Sequence, residues 1–278
     1  MRALSSTLRA KGTHIPMRDV HVVFQIDINC DMGESFGAYL IGCDHEVIKH
    51  ISSANVACGF HAGDPLVMRQ TIRLAKSNNV AVGAHPGFPD LLGFGRRNMT
   101  LTREEARNYV TYQVGALRAL CDSEGIQLQH VKPHGALYNM AVEDPDLAGA
   151  IVESVKDFRQ ELILVVLANS KMQKVAEEAG LKVAREAFAD RAYNPNGTLV
   201  SRRVPGAVLS DVNQIGDRVI KMVKESKAFS VDGKTVELGR VESICVHGDN
   251  PEAVKIASTI STALMKEGVQ VRPMAEFL

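Results

Sequence analysis

No stretch of this chain is apolar for long enough to span a bilayer; the most hydrophobic run, Leu162 to Ala168, has the length of a strand. An excess of charge of either sign is also missing. The 32 Lys and Arg face 32 Asp and Glu, so nothing draws the chain to nucleic acid or to a membrane surface. The five cysteines, at positions 30, 43, 58, 121 and 245, are odd in number and lack metal-finger spacing. That speaks against a disulfide framework and for a reducing compartment, the cytosol. The Gly-x-x-x-x-Gly-Lys-Ser/Thr phosphate loop, the Rossmann glycine fingerprint and His-Glu-x-x-His are all absent. The composition is otherwise ordinary and globular, 45% hydrophobic and 23% charged, over 278 residues that suit one large α/β unit.

What is present is a recurring strand end. Four times an apolar run finishes in a histidine close to glycine: Ala57-Cys58-Gly59-Phe60-His61-Ala62-Gly63, Val82-Gly83-Ala84-His85-Pro86-Gly87, Val131-Lys132-Pro133-His134-Gly135 and Ile244-Cys245-Val246-His247-Gly248. The first and last run into helix starts, Asp64-Pro65 and Asn250-Pro251. A fifth run, Ile26 to Asp31, ends in acids. The pattern brings titratable groups from several parallel strands to one sheet edge, where α/β barrels and open α/β sheets keep their active sites.

Strands are expected at 22–28, 52–58, 80–84, 128–132, 162–168, 183–187 and 243–247. Helices alternate with them. Asp64-Pro65 is an N-cap followed by proline, opening a helix to about Asn78. Thr102 to Glu105 reads as a capping box for a helix ending near Glu124-Gly125. Asp144-Pro145 opens another, Ser170 caps one closed by Gly180, and 211–226 and 251–267 complete the set. Residues 229–238 form a hairpin turning at Asp232-Gly233.

Alternation along the strands decides between sheet types. Asp27, Asn29 and Asp31 share a face, as do Gly83 and His85, His130, Lys132 and His134, Glu186 and Asp190, and Ser243, Cys245 and His247. Asn55, Gly59 and His61 join them if their strand stays regular to its end. An open sheet covered by helices on both sides would be apolar on both faces. One polar face in strand after strand instead predicts a closed, seven-stranded parallel β/α barrel, TIM-like, over residues 22–278. Residues 1–21 are expected to be a disordered extension. Arg2, Arg9, Lys11 and Arg18, with no acid before Asp19, also fit a transit peptide into the mitochondrial matrix, the less favoured reading.

One histidine at a strand end is ordinarily structural, but four in equivalent positions, in phase with acids, point to a shared site. Asp31, His61, His134 and Glu186 are its candidate acids and bases. Lys132 either pairs with an acid inside the barrel or binds a substrate carboxylate or phosphate. Asn29, Asn55, His85, His247 and Asp249 are candidate substrate ligands along the same edge. Asp27, Asp31, His61, His85 and His134 form the pool for a divalent metal, although the acids serve equally well to orient His61, His134 and Lys132. Cys30, Cys58 and Cys245 read as packing residues. Two long loops flank the edge. Residues 86–101, with Phe88 and Phe94, suit a lid whose Arg96 or Arg97 clamps an anion. Residues 186–210 bring Asp190, Arg191 and Arg202 toward an anionic substrate.

The stretches Ile26 to Gly37, Ala54 to Pro65, Gly83 to Asp90, Val131 to Tyr138 and Glu186 to Arg191 resemble the ordered signatures of the LamB/YcsF family, and the resemblance covers residues 24–278. It implies a seven-stranded barrel similar to that of polysaccharide deacetylases, in agreement with the strand count. It also implies opening of the lactam 5-oxoproline to L-glutamate, coupled to hydrolysis of ATP as co-substrate, within a multi-subunit 5-oxoprolinase. The implied partners are the B and C subunits or an equivalent fused partner, which would help to bind the ATP. Such chemistry needs a base for water, an acid for the ring nitrogen and cations around phosphate and carboxylate; Lys132, Arg191 and Arg202 are the available cations. Two other readings stay open on the same residues: a metal-dependent amide or acetyl hydrolase without ATP, and a non-catalytic component of a lactam-processing complex.

Overall fold

The computed structural model describes residues 24–158, 161–209 and 211–278. The expected extension, residues 1–21, and the first two residues of the expected opening strand lie outside the described residues. The elements in chain order are β1 (Gln25–Met32), α1 (Asp44–Val47), β2 (Ser53–Ala57), α2 (Pro65–Ser77), β3 (Ala81–His85), α3 (Arg103–Ser123), β4 (Leu128–Val131), α4 (Gly135–Ala141) and α5 (Pro145–Asp157). They continue with β5 (Ile163–Leu167), α6 (Lys171–Glu178), β6 (Val183–Phe188), α7 (Val212–Lys224), β7 (Lys227–Phe229), β8 (Thr235–Glu237), β9 (Ser243–Val246), α8 (Ala253–Lys266) and β10 (Gln270–Val271).

β1 to β6 and β9 pair in parallel, and β9 returns to β1 through Asp27↔Ser243 and Asn29↔Cys245, closing the barrel. β7 and β8 form the expected antiparallel hairpin outside it. The helix starts are chemically set. Asp64 and Asp144 each accept two amide hydrogens ahead of a proline, and Thr102 and Glu105 bond reciprocally across the first turn of α3. The outward strand faces, including Ile26, Ile28, Val82, Val131, Leu164, Val166 and Ile244, lie in one apolar shell beneath the helices. Each such aliphatic side chain contributes about 1.5–3 kcal/mol on full burial. A smaller cluster, Ile163, Val165 and Ala184, meets Met274, with Phe277 and Leu278 beside it, and closes the barrel at the end opposite the strand C-termini.

Several boundaries differ from expectation. Among the described residues β1 begins at Gln25, and it runs on past the expected end at 28 to Met32. β2 stops at Ala57, because Gly59 and Gly63 turn the chain at φ +91° and +78°. A Cβ at Gly63 would stand 2.9 Å from the Ala57 carbonyl oxygen. His61 therefore reaches the site from a tight loop and not in strand phase. The last helix starts at Ala253 and not at Pro251, since Asn250 first turns the chain by accepting from the Glu252 amide. The sequence does not foresee α4, headed by His134, or β10, which pairs with the start of β1.

Candidate active site

The polar faces of the strands meet inside the barrel in tiers. At the floor, the Asp27 carboxylate accepts hydrogen bonds from Ser52 and Ser53 at 2.7 and 2.6 Å and from Ser243 on its other oxygen. Burial still outweighs these donors and pushes Asp27 up to about 6. The sequence places Asp27 in the metal pool. Its oxygens are engaged by serines, and it belongs to neither group of side chains able to share a cation among the described residues.

The middle tier joins strands through side chains. Asn29 donates to Glu186 at 2.8 Å and to Ser243 at 2.7 Å, while its oxygen accepts from Lys132 and Asn55. Asn55 also donates to Asp31 at 2.9 Å and accepts from His130 at 2.8 Å. Gly83 makes room for that ring; a Cβ there would lie 2.1 Å from His130 Nε2. Burial and the nearby Lys132 lower His130 to about 3, so the ring is neutral. The Lys132 ammonium stands 3.1 Å from Asp31, 2.9 Å from Glu186 and 2.9 Å from Cys245 Sγ. Burial opposes its charge, but Asp31 and its other neighbours prevail and hold it well above the usual lysine range. Tyr138 of α4 donates to the second Glu186 oxygen at 2.9 Å.

The upper tier contains the histidines. His85 Nε2 lies 3.3 Å from Asp31 and 2.9 Å from His134 Nδ1. His61 stacks on His134 with ring centroids 3.7 Å apart and planes at 4°. Glu34 lies 3.9 Å from both His61 and His134. Burial, and then the neighbouring imidazoles, lower His61 and His134. Burial and Asp31 raise Glu34. Asp31 is held well below the carboxylate range, because His85 and Lys132 overcome its desolvation.

Beside the histidines, an open cavity of about 610 Å³ is lined by Asp31, His85, Lys132, His134, His247 and the rim arginines. Arg96 bonds Asp249 at 2.6 Å and lies over Phe94, while Arg97 is taken up by Asp90. Arg202 stands 3.8 Å from Asp249. Arg191 is buried, donates one bond to the Val200 carbonyl and leaves Nε without a partner among the described residues. Burial and Arg202 lower it to about 10. His247 donates from Nδ1 to Asp190 at 2.9 Å, and its ring stacks on Phe188.

Asp31, His85, Lys132, His134 and His247 thus share one cavity, as do Arg96, Arg191 and Arg202. His61, Asn29, Asn55 and Glu186 lie behind or beneath that wall, and Asp190 and Asp249 hold its basic groups. Sequence reasoning missed Glu34 and Tyr138. Glu34 follows Gly33, whose φ of +66° turns it back over the barrel mouth; a glycine two residues after the acid-ended run Ile26 to Asp31 was the available signal. Tyr138 had none, because it sits on the unforeseen α4.

Known proteins share this arrangement of chain and fold. The LamB/YcsF family profile matches residues 26–278. The chain is 61% identical over 254 residues to the 5-oxoprolinase A subunit of Pyrococcus horikoshii, covering 91% of this chain and 99% of that protein. It is 56% identical over 256 residues to the 5-oxoprolinase A subunit of Alkaliphilus metalliredigens, covering 92% and 100%. The lactam utilization protein from Thermus thermophilus has the same structure at a TM-score of 0.84 and 46% identity, over 90% of this chain and 99% of that one. A putative cellobiose-phosphate cleavage protein from Enterococcus faecalis, 13% identical with a TM-score of 0.56 over 91% and 98% of the two chains, shares the fold.

Proposed function

The chain belongs to the LamB/YcsF family, and from that premise we propose that it is the A subunit of a 5-oxoprolinase, which opens the lactam 5-oxoproline to L-glutamate with hydrolysis of ATP. The observation that carries the reading is a buried, half-satisfied guanidinium and an Asp–His pair on one cavity. Arg191 Nε lacks a partner among the described residues, and Arg202 stands close enough to depress its pKa. An anion there, the carboxylate of the lactam acid or a phosphate, would satisfy both.

A lactam is a resonance-stabilised amide with a poor leaving group. Phosphorylation of its carbonyl oxygen by ATP weakens that resonance and lets water attack. The base for that water is His247: with Nδ1–H given to Asp190, its Nε2 is left to accept a proton. Lys132 and the rim arginines supply positive charge toward developing negative charge on oxygen. The B and C subunits, or an equivalent fused partner, complete the ATP site. Among the described residues no helix is long and apolar enough to cross a membrane. A cytosolic setting suits five free cysteines, one of them exposed.

The test is formation of glutamate and ADP dependent on 5-oxoproline, with the full chain and its partner subunits present. His247→Asn should lower kcat by about 10²–10⁴-fold at unchanged fold. Unaltered turnover in that variant removes the assigned base. Absence of lactam-dependent ADP formation in the complete complex removes the reading.

A further inference from the structure

Two histidines at the barrel mouth have hydrogen bonds that conflict unless a cation lies between them. His85 Nδ1 is 2.6 Å from the Lys132 carbonyl oxygen, and His134 Nε2 is 2.8 Å from the Phe94 carbonyl oxygen. A carbonyl only accepts, so each of these nitrogens carries hydrogen. In the neutral rings the remaining nitrogens, His85 Nε2 and His134 Nδ1, are then both lone pairs, and they face each other at 2.9 Å.

Two further observations bear on what that cation is. Glu34 Oε1 faces the same point, and it forms a cluster with His61, His85 and His134 whose ligand atoms all lie within 4.8 Å of one another. Ligand atoms about 2.0–2.1 Å from a tetrahedral zinc ion stand about 3.4 Å apart, a spacing this cluster brackets. Asp31, Glu34 and Glu186 are all buried, yet among the described residues a single ammonium, Lys132, lies against Asp31 and Glu186, and none lies against Glu34. His61 packs beside this cluster, with both ring nitrogens lacking hydrogen-bond partners among the described residues. Gly87 and Gly95 keep space for this ring and its neighbour: a Cβ on Gly87 would lie 2.5 Å from His61 Nδ1, and one on Gly95 2.8 Å from His134 Cδ2.

We infer that Glu34, His85 and His134 hold a divalent transition-metal ion of the zinc class. The backbone carbonyls behind both rings provide the outer support that fixes the tautomer of metal-bound histidines. Two imidazoles with one carboxylate favour zinc, cobalt or nickel over magnesium. His61 is a neighbour and not a ligand in this arrangement. Its ring is parallel to His134 at 3.7 Å, and two such planes cannot both contain one ion at about 2 Å. The other cluster able to share a cation, Asp31, Cys245 and His247, is already served by the Lys132 ammonium. The inference does not rest on the lactam reading, and its test does not use turnover.

The full chain, stripped with a chelator and dialysed, should take up one Zn²⁺ per chain by calorimetry. Co²⁺ should bind in its place with the visible absorption of a nitrogen- and oxygen-ligated ion, and Mg²⁺ should not displace it. His85→Ala and His134→Ala should each weaken Zn²⁺ binding at least about 100-fold, and Glu34→Gln at least about tenfold. His61→Ala should keep the stoichiometry. Circular dichroism melting reports whether each variant folds. For one that does not, ¹⁵N shifts of the native imidazoles supply the same test, with His85 Nε2 and His134 Nδ1 moving as Zn²⁺ is added. A native chain that binds neither ion and carries an imidazolium at this pair overturns the inference in favour of a shared proton. Metal uptake that survives both histidine substitutions overturns it as well.

Discussion

Asp27→Asn should make the protein more stable at neutral pH while leaving it little changed near pH 4. The folded carboxyl titrates at about 6 against an ordinary value of 3.8. The difference is about two units, and at 1.36 kcal/mol per unit it amounts to about 3 kcal/mol. Its sign follows from linkage. Between the two values the folded state holds a proton that the unfolded chain has released. The contribution of this group to stability is therefore fully present below about pH 4, declines as pH rises to about 6, and is flat beyond. Three serine hydroxyls donate to the carboxylate and pull the other way, but they do not replace the water removed by complete burial. An amide carries no charge, so the substitution removes the pH-dependent penalty, and the serine hydroxyls can rotate to accept from the new NH₂ group. Urea denaturation of both proteins from pH 4 to 8 measures the effect. The difference curve cancels the opposite slopes of Asp31 and Asp190, whose lowered values make them stabilising above the ordinary carboxylate range. The expected curve favours the variant increasingly up to about pH 6. A flat difference refutes the argument, and one that favours the native chain at high pH means that the serines outweigh burial.

Three other substitutions test the interior. Gly83→Ala forces a methyl group onto His130 and breaks its bond to Asn55; a loss of about 1–3 kcal/mol is expected in thermal denaturation. Lys132→Met leaves Asp31 and Glu186 buried without their cation, for a loss of about 3–5 kcal/mol in urea midpoint analysis. Arg191→Met removes a buried guanidinium on the cavity wall and should raise the KM for 5-oxoproline in the complete complex at least about tenfold; an unchanged KM would mean that the anion binds elsewhere.

The fold was legible where its causes are local. Asp64-Pro65 and Thr102 to Glu105 determine helix starts through bonds within one turn, and both starts appear at those residues. Barrel closure was legible because Asp27, Asn29, Glu186 and Ser243 could not lie on a sheet face covered by helices. Features set by distant partners escaped: β10 exists because Gln270 and Val271 pair with Gln25 and Ile26 at the other end of the described chain. The same division holds in the site. The histidines stood out by repetition at strand ends. Arg96 and Arg97 are adjacent and chemically equal in sequence, yet one bonds Asp249 from another strand end and the other bonds Asp90 within its own loop.

The interior network also ties closure of the barrel to the readiness of the site. Asn29 links β1 to β6 and β9, Asn55 links β2 to β1, and His130 and Lys132 bring in β4. An apolar interior of equal volume would be at least as stable, because desolvating these charges offsets much of their mutual attraction. What it could not do is hold Lys132 against two carboxylates while His85 and His134 are oriented by backbone carbonyls. The polar interior thus costs stability and gains preorganisation, since Lys132, His85 and His247 are each held by a partner from a different strand or loop. A substitution such as Lys132→Met should therefore lower stability and turnover together, whereas His247→Asn, at the edge of the network and stacked on Phe188, should lower turnover alone. Two variants on one cavity with different stability signatures separate the residues that build the site from the residue that uses it.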